Sequence, residues 1–401
     1  MIKMYTFQPH VFIKHSSNSI IKPEETMHSK NISCDGKNVY IYQREYVSDL
    51  EFNNIWVYNL AGKQWKLIRN ASNSLDNTYP IGTIFESNYL IICTIRVPFN
   101  DNLSSRKCRL YIYDSKIGGG LVRETSGQIP SPSFPLNLIR HGKYLYTVGA
   151  TNDLEAFSDV YRLNIENGVW EIVYICKGHD ENEPLGRSDH TLVYDNNMIY
   201  IFGGDCHDPE QDDAFTFVKI SAFDLEKYCW KIVDTRGDEN NIPQYPVERE
   251  GLSATSYTDP DSGEINVIIS GGRVYSDDTF SDVMNDGFYE NLNDVWSLNL
   301  TSLKWTCLKR FGTVLPHYVE NHSMAISPAG KLFTFGGNIF STNVEERIRF
   351  SSLHSAWLRI PKLTDICWEA VFHYYPNLKS MTDKELCSLG IPLLLLKSRI
   401  N

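Results

Sequence analysis

The chain is 401 residues long with a formal net charge of −11 at pH 7, too long for one small domain and suited to one large β-architecture with a short appendage. The acidic excess lies in the first 360 residues, because residues 361–401 hold five basic and four acidic side chains; this argues against a nucleic-acid partner, since phosphate binding needs a basic face. Aromatic residues make up 12%, with 23 Tyr and 19 Phe, which favours strands over most of the length.

No apolar run approaches membrane-spanning length, and no apolar stretch follows a basic start at the N-terminus, so a cytoplasmic and/or nuclear protein with no membrane contact is expected. Nine scattered cysteines fit reduced thiols better than a disulfide framework. The N-x-S/T sequons at Asn31, Asn70, Asn102, Asn299 and Asn321 are read as chance occurrences.

In residues 1–27, Tyr5, Phe7, Val11 and Ile13 share one period-two register. The segment is assigned as an outer strand that closes a ring, with Pro9 tolerated only at an edge or a break. From residue 28 an apolar strand ending in two glycines recurs: Tyr200–Gly204, Val267–Gly272 and Phe333–Gly337, with weaker copies at Val39–Arg44, Leu90–Thr94 and Leu145–Ala150. Downstream of each strand an aromatic or leucine stands seven residues before a tryptophan and is followed by Asn or Asp. Tyr58 precedes Trp65 in this way, as do Leu163 and Trp170, Phe223 and Trp230, and Leu298 and Trp305. The second repeat keeps Tyr113-Asp114 and offers Leu121 or Val122 for the tryptophan; in the sixth, Leu353–Leu358 is the matching strand. Each repeat reads as a four-stranded sheet that must stack on its neighbours, with the tryptophan packed between blades and the Asn or Asp in a tight turn. Double glycine, Tyr-Asp and Trp at this spacing resemble the kelch repeat. The resemblance implies an all-β, six-bladed kelch β-propeller over 28–360.

After Pro361 the spacing becomes helical. Leu363, Ile366, Cys367, Ala370, Val371 and Tyr374 form one stripe, Pro376 and Asn377 stop it, and Thr382-Asp-Lys-Glu385 reads as a capping box for a second helix ended by Gly390. Ile391-Pro392 opens a third helix through Ile400, so residues 361–401 are expected to be a short C-terminal three-helix segment. Three such helices cannot hold a private core and must pack on the propeller or on a partner. Leu363-x-x-x-Cys367-x-x-x-Val371 resembles the elongin-binding BC box, and Ile391-Pro392 with Leu395 or Leu396 resembles the cullin box of cullin-2 receptors. The run Ile360–Ala370, Tyr375–Leu378 and Leu389-Gly390 is similar to the end of one subfamily of kelch-domain proteins. Lys362, where the box often has Ser, Thr or Pro, and the weak apolar position at Arg399 or Ile400 depart from the pattern.

That resemblance implies a non-catalytic substrate-recognition subunit of a cullin-2–elongin BC ubiquitin ligase. Leu363, Ile366, Cys367 and Val371 would bind elongin C in the elongin B/elongin C pair, and Ile391, Pro392 and Leu395 would bind cullin-2. In similar receptors the ligand is a substrate protein C-terminus, commonly ending in glycine. Loops before the first strands and after the glycine pairs of a kelch propeller reach one face, which assigns Arg187, Ser188, Arg249, Arg273, Tyr275 and Asn338 to the substrate site, with Asp205 beside them and Ser253 and His322 further along their strands. Arg187 and Arg249, each in a Pro-x-x-Arg approach, are expected to clamp the terminal carboxylate, with Ser188 or Ser253 adding a hydrogen bond and Tyr275 packing on the preceding residue.

A propeller enzyme is the rival class, and a kelch scaffold without ligase role a further one. The eleven histidines show no copper-ligand spacing. Cys206-His207 is too small for a zinc site, Arg187-Ser-Asp-His190 cannot converge as a triad, and the Asp-rich residues 277–294 lack EF-hand order. No cofactor and no metal is expected.

Overall fold

The protein is described from a computed structural model. It covers residue 4, 6–17, 19–23, 32–47, 50–69, 78–86, 89–96, 107–130, 137–151, 156–177, 180–204, 216–276, 288–339, 348–375, 377–378 and 381–391.

Among the described residues, six sheets are arranged as a propeller, all antiparallel except where Ser126–Gly127 adds parallel to Val169–Tyr174, and a seventh, two-stranded sheet pairs Arg273–Ser276 with Phe288–Asn291. The fourth blade shows the plan: Thr191–Asp195, Met198–Phe202, Lys219–Asp224 and Cys229–Asp234, in that order from the axis outward. The first strands of successive blades, among them Thr191–Asp195, Ser253–Thr258, Glu320–Ile326 and Ile32–Cys34, are neighbours around the axis. The ring closes through the N-terminal segment. Ile13–Lys14 adds antiparallel to Leu353–Trp357 as the outer strand of blade six, with Ile13 opposite Ser355 and Lys14 opposite His354. Phe12, rather than the exposed Val11 and Ile13, packs against the core between blades five and six. The Tyr58 hydroxyl of blade one donates to the Ser16 carbonyl at 2.7 Å, and burial pushes that phenol up to about 12.

The seven-residue spacing has a direct cause. Tyr58 pairs with Trp65, Leu163 with Trp170, Phe223 with Trp230 and Leu298 with Trp305 across the hairpin joining the third and fourth strands. The Asn or Asp after each aromatic position accepts backbone N–H groups in the turn, as Asp224 does from Glu226 and Lys227 at 2.9 Å and Asn299 from Ser302 at 2.8 Å. Each tryptophan then lodges against the preceding blade. Trp305 meets Phe202 and Phe217 of blade four and donates its indole N–H to the Phe217 carbonyl at 3.0 Å. Trp170 packs among Cys93, Cys108 and Leu110 of blade two, and Trp65 stands 6.1 Å from Phe335 of blade six. In blade two the residue opposite Tyr113 is Gly120, while Leu121 and Val122 are more than half exposed. Neither therefore replaces the tryptophan as expected; Tyr40, Tyr42, Leu90, Ile92 and Tyr111 fill the interface between blades one and two.

Two short helices follow the propeller, α1 (Leu363–Tyr374) and α2 (Asp383–Ser388). The capping box of α2 is formed, with Thr382 accepting from the Glu385 amide and Glu385 from the Thr382 amide. The third helix expected from Pro392 onward lies outside the described residues. Among those residues, no helix is long and apolar enough to cross a membrane.

Because a fully buried indole bridges two blades, Trp305→Ala should destabilise the protein by about 3–5 kcal/mol, whereas Leu121→Ala should change it by no more than about 0.5 kcal/mol. Urea unfolding followed by tryptophan fluorescence tests the contrast.

Candidate functional site

The ring face near blades four, five and six is built from backbone contacts between each glycine pair and the loop leading into the next blade. The Gly204 amide donates to the Arg249 carbonyl at 3.3 Å, and one blade on, the Gly272 amide donates to the Val319 carbonyl at 2.8 Å. Both glycines have positive φ, and a Cβ on Gly272 would stand 2.6 Å from the Glu250 carbonyl. Only glycine combines that backbone conformation with that approach.

The two Pro-x-x-Arg arginines serve this frame. Arg187 is 5% exposed and donates Nη1 to the carbonyl of Gly203 at 3.2 Å; Arg249 donates Nη1 to the equivalent carbonyl, that of Gly271, also at 3.2 Å. Arg249 also gives Nε to Val247 at 2.8 Å and holds the Asp294 carboxylate with both terminal nitrogens, Nη2 reaching Oδ2 at 2.9 Å. Its side chain has no exposed surface. The carboxylate bidentate to Arg249 is thus the protein's own, where the sequence suggests that of a ligand. Burial pushes the Asp294 carboxyl up, yet the charge and hydrogen bonds of Arg249, with a bond from the Trp296 indole at 2.8 Å, outweigh it and hold the group below the ordinary carboxylate value.

Next to this pair, Arg273 lies between two carboxylates, with Nε 2.5 Å from Glu250 and 2.9 Å from Glu320, and its guanidinium covers the Tyr289 ring at 4.1 Å. Asn338 donates Nδ2 to the other Glu320 oxygen at 2.5 Å. His322 is buried with Nε2 2.8 Å from the Ser270 hydroxyl, and Ser253, also buried, pairs in register with Ser270. Arg249, Ser253, Arg273, His322 and Asn338 thus gather at blades five and six. Arg187 and the half-buried Ser188 belong to the loop leading into blade four, where a Cβ on Gly204 would meet the Ser188 carbonyl at 2.8 Å. Tyr275 lies on the strand Arg273–Ser276, opposite Tyr289 in a hairpin beyond the blade-five glycines. Asp205, Cys206, His207 and residues 277–287 lie outside the described residues. Sequence reasoning missed Glu250, Asp294 and Glu320, the acidic partners of these arginines. Glu250 was legible beside Arg249; Asp294 and Glu320 come from distant positions and left no local signal. Among the described residues no group of three or more His, Cys, Asp or Glu could hold a metal ion.

A second candidate surface is α1. None of its residues is buried; Leu363 is 74% exposed and Cys367, one turn on, is exposed too. Ile366 and Val371 are half-buried. The helix is fixed to blade six by Glu369, which accepts from Lys331 at 2.7 Å and from the Trp357 indole at 3.1 Å. Ile391 is half-buried at the end of the described chain, and Pro392 and Leu395 lie outside it.

Arg249→Met leaves the half-buried Asp294 without its cation and should cost up to about 3–5 kcal/mol at neutral pH. The paired carboxyl stabilises the native protein fully above its unfolded value near 3.9 and loses that contribution as pH falls through its lower folded value. In the variant burial acts unopposed by that cation and raises the carboxyl, so the stability gap should narrow on acidification. Asp294→Asn in the same background should recover part of the loss. Urea midpoints of the wild type and the two variants between pH 4 and 7 check the cost, its narrowing and its partial recovery.

A sequence model of the KLHDC2/KLHL20/DRC7 Kelch-repeats domain matches residues 138–373. The chain is 29% identical to the Kelch domain-containing protein 10 homolog of Drosophila melanogaster over 357 residues, which are 86% of this chain and 55% of the fly protein. It thus spans little more than half the length of that relative. It is 24% identical to Kelch domain-containing protein 10 of Xenopus laevis over 342 residues, covering 85% of this chain and 74% of the frog protein. Among solved structures, that of YjhT superposes with a TM-score of 0.54 at 11% identity over 83% of this chain and 95% of the other, a likeness of fold alone. With six blades closed in a ring and a family match over more than half its residues, the chain belongs to the KLHDC2/KLHL20/DRC7 Kelch-repeats domain family and is a propeller related to Kelch domain-containing protein 10.

Proposed function

We propose that this chain is the substrate-recognition subunit of a cullin-2–elongin BC ubiquitin ligase, with the propeller binding substrate protein C-termini and the C-terminal segment docking the ligase. The observation that carries the reading is α1, which presents Leu363 and Cys367 to solvent one turn apart while burying none of its own residues. A twelve-residue helix is marginal by itself in water. Here Glu369 tethers it to Lys331 and Trp357, leaving the face of Leu363 and Cys367 for a partner. A leucine side chain seated in a partner's pocket gains roughly 1.5–3 kcal/mol from leaving water, and the resemblance of Leu363-x-x-x-Cys367-x-x-x-Val371 to the BC box names elongin C as that partner. Ile391, Pro392 and Leu395 would then meet cullin-2.

On the ring face, Arg273 and Ser188 keep the substrate-binding assignment better than Arg249, since the Arg273 side chain retains 19% exposure and Ser188 is half-buried. A chain-end carboxylate meeting Arg273 would compete with Glu250 and Glu320 for one guanidinium. Weak-to-moderate affinity that sharpens with contacts to the preceding residues, Tyr275 among the groups making them, follows from that competition.

Two measurements separate the parts. Leu363→Ser with Cys367→Phe should abolish capture of elongin C by the full chain, at roughly 2 kcal/mol or more for the leucine anchor alone, without lowering thermal stability, because both side chains are exposed. Unchanged capture removes the ligase reading and leaves a scaffold. Independently, a glycine-ended peptide should bind at least tenfold, or about 1.4 kcal/mol, more tightly than its C-terminal amide or a C-terminally extended form. Equal affinities overturn end recognition and leave elongin docking untouched.

A further inference from the structure

The N-terminal segment closes the ring as a strap along the outer edge of blade six. It runs from the His10 amide, which donates to the Trp357 carbonyl at 3.0 Å, to the His15 amide, which donates to the Leu353 carbonyl at 2.8 Å. Val11, Ile13 and Lys14 are exposed, and Phe12 is its apolar anchor. Histidines lie beneath it. His354 is 7% exposed and has Lys14 of the strap opposite it on one side and Thr334 on the other. The half-buried His317, in the loop leading into blade six, stacks on Phe350 at 4.3 Å and stands 5.9 Å from the His354 ring. These two rings and the buried His322 line a space of about 20 Å³, room for about one water.

We propose that this closure is an acid-sensitive latch, in which protonation of His317 and His354 releases the strap from blade six and opens the outer edge of the ring. One water cannot hydrate an imidazolium, and among the described residues no carboxylate lines the space. The charged groups around it offer no compensation. Lys14 puts a like charge opposite His354, and Arg349, just before Phe350, is a further cation. On the first strand Glu320 is engaged by Arg273 and Asn338, and His322 meets the Ser270 hydroxyl; on the second, Lys331 is paired with Glu369. Burial, and after it the charges of His317 and Lys14, push the His354 imidazole down to about 4, and burial also lowers His317 and, at the far end of the strap, His10. Neutral rings therefore favour closure fully above the ordinary histidine value near 6.5, and that contribution is lost as pH falls towards the lower folded values. The strap yields first because it is the outermost strand, is held by few backbone bonds and carries Lys14.

Hydrogen exchange read by mass spectrometry on the full chain, corrected for the intrinsic rate at each pH, tests the latch without any partner, so its outcome is independent of the ligase reading. From pH 7 to pH 5, protection of the His10 and His15 amides should fall at least roughly tenfold, while the blade-five strand Ile265–Ser270 keeps its own. Lys14→Glu, at an exposed position, places a carboxylate opposite His354 and should hold the fall below about threefold. Lys22→Glu, the same charge change at an exposed position beyond the strap, should leave the fall at full size. His354→Phe should remove most of it; if that variant does not fold, the two lysine variants decide. Equal protection at pH 7 and 5 overturns the proposal. So does an equal loss in Ile265–Ser270, a fall of full size in folded His354→Phe, or an equal fall in the two lysine variants.

Discussion

The ring face depends on one kind of contact, a backbone amide of the second glycine in a pair reaching the carbonyl of the loop that leads into the next blade. At Gly204 and Gly272 the φ angles are +113° and +93°, and any Cβ would collide with a backbone carbonyl of the loop leading into the glycine's own blade, Ser188 or Glu250. The pair therefore joins one blade to the next at the point where the chain leaves the centre. With the blades drawn together there, the first strands line the axis and the outer hairpins splay apart, and the tryptophans fill the widening gap. Trp65 against Phe335 carries the same packing across the junction between the last blade and the first.

That frame accounts for the recurrence of arginine. Arg187 and Arg249 stand at equivalent places because each has the same task, holding the carbonyl of the first glycine of its own blade. A guanidinium buried there needs its remaining donors satisfied. In blade five Asp294 meets that need from just before the third strand, and a second ion-paired group, Glu250–Arg273–Glu320 with Asn338, lies beside it. The ring face near blades five and six is thus largely self-satisfied in charge.

The C-terminal helices follow a different logic. They carry apolar residues in helical register but contribute little to the core of the propeller; Leu386 of α2 is fully buried, while α1 buries none of its residues. One carboxylate, Glu369, joins α1 to blade six, and its two partners come from the second and third strands of that blade. The orientation of the Leu363 and Cys367 face relative to the ring is therefore set in part by the polar contacts that Glu369 makes to blade six.

The sequence by itself determined the repeat. Strand, glycine pair, aromatic, Asn or Asp, and tryptophan are local signals because hairpin register and turn geometry act over fewer than ten residues, and Thr382 with Glu385 marked the start of α2 for the same reason. The helical stripe of α1 was equally legible, since its period needs no partner. Which face of the N-terminal strand turns inward, that Gly120 faces Tyr113 where Leu121 or Val122 was expected in the tryptophan's place, and that Arg249 is neutralised by Asp294 were decided only by the tertiary structure. Each depends on residues far apart in the chain meeting across a blade or a blade interface, and a charge or an aromatic ring leaves no mark in the sequence of the distant position it will touch.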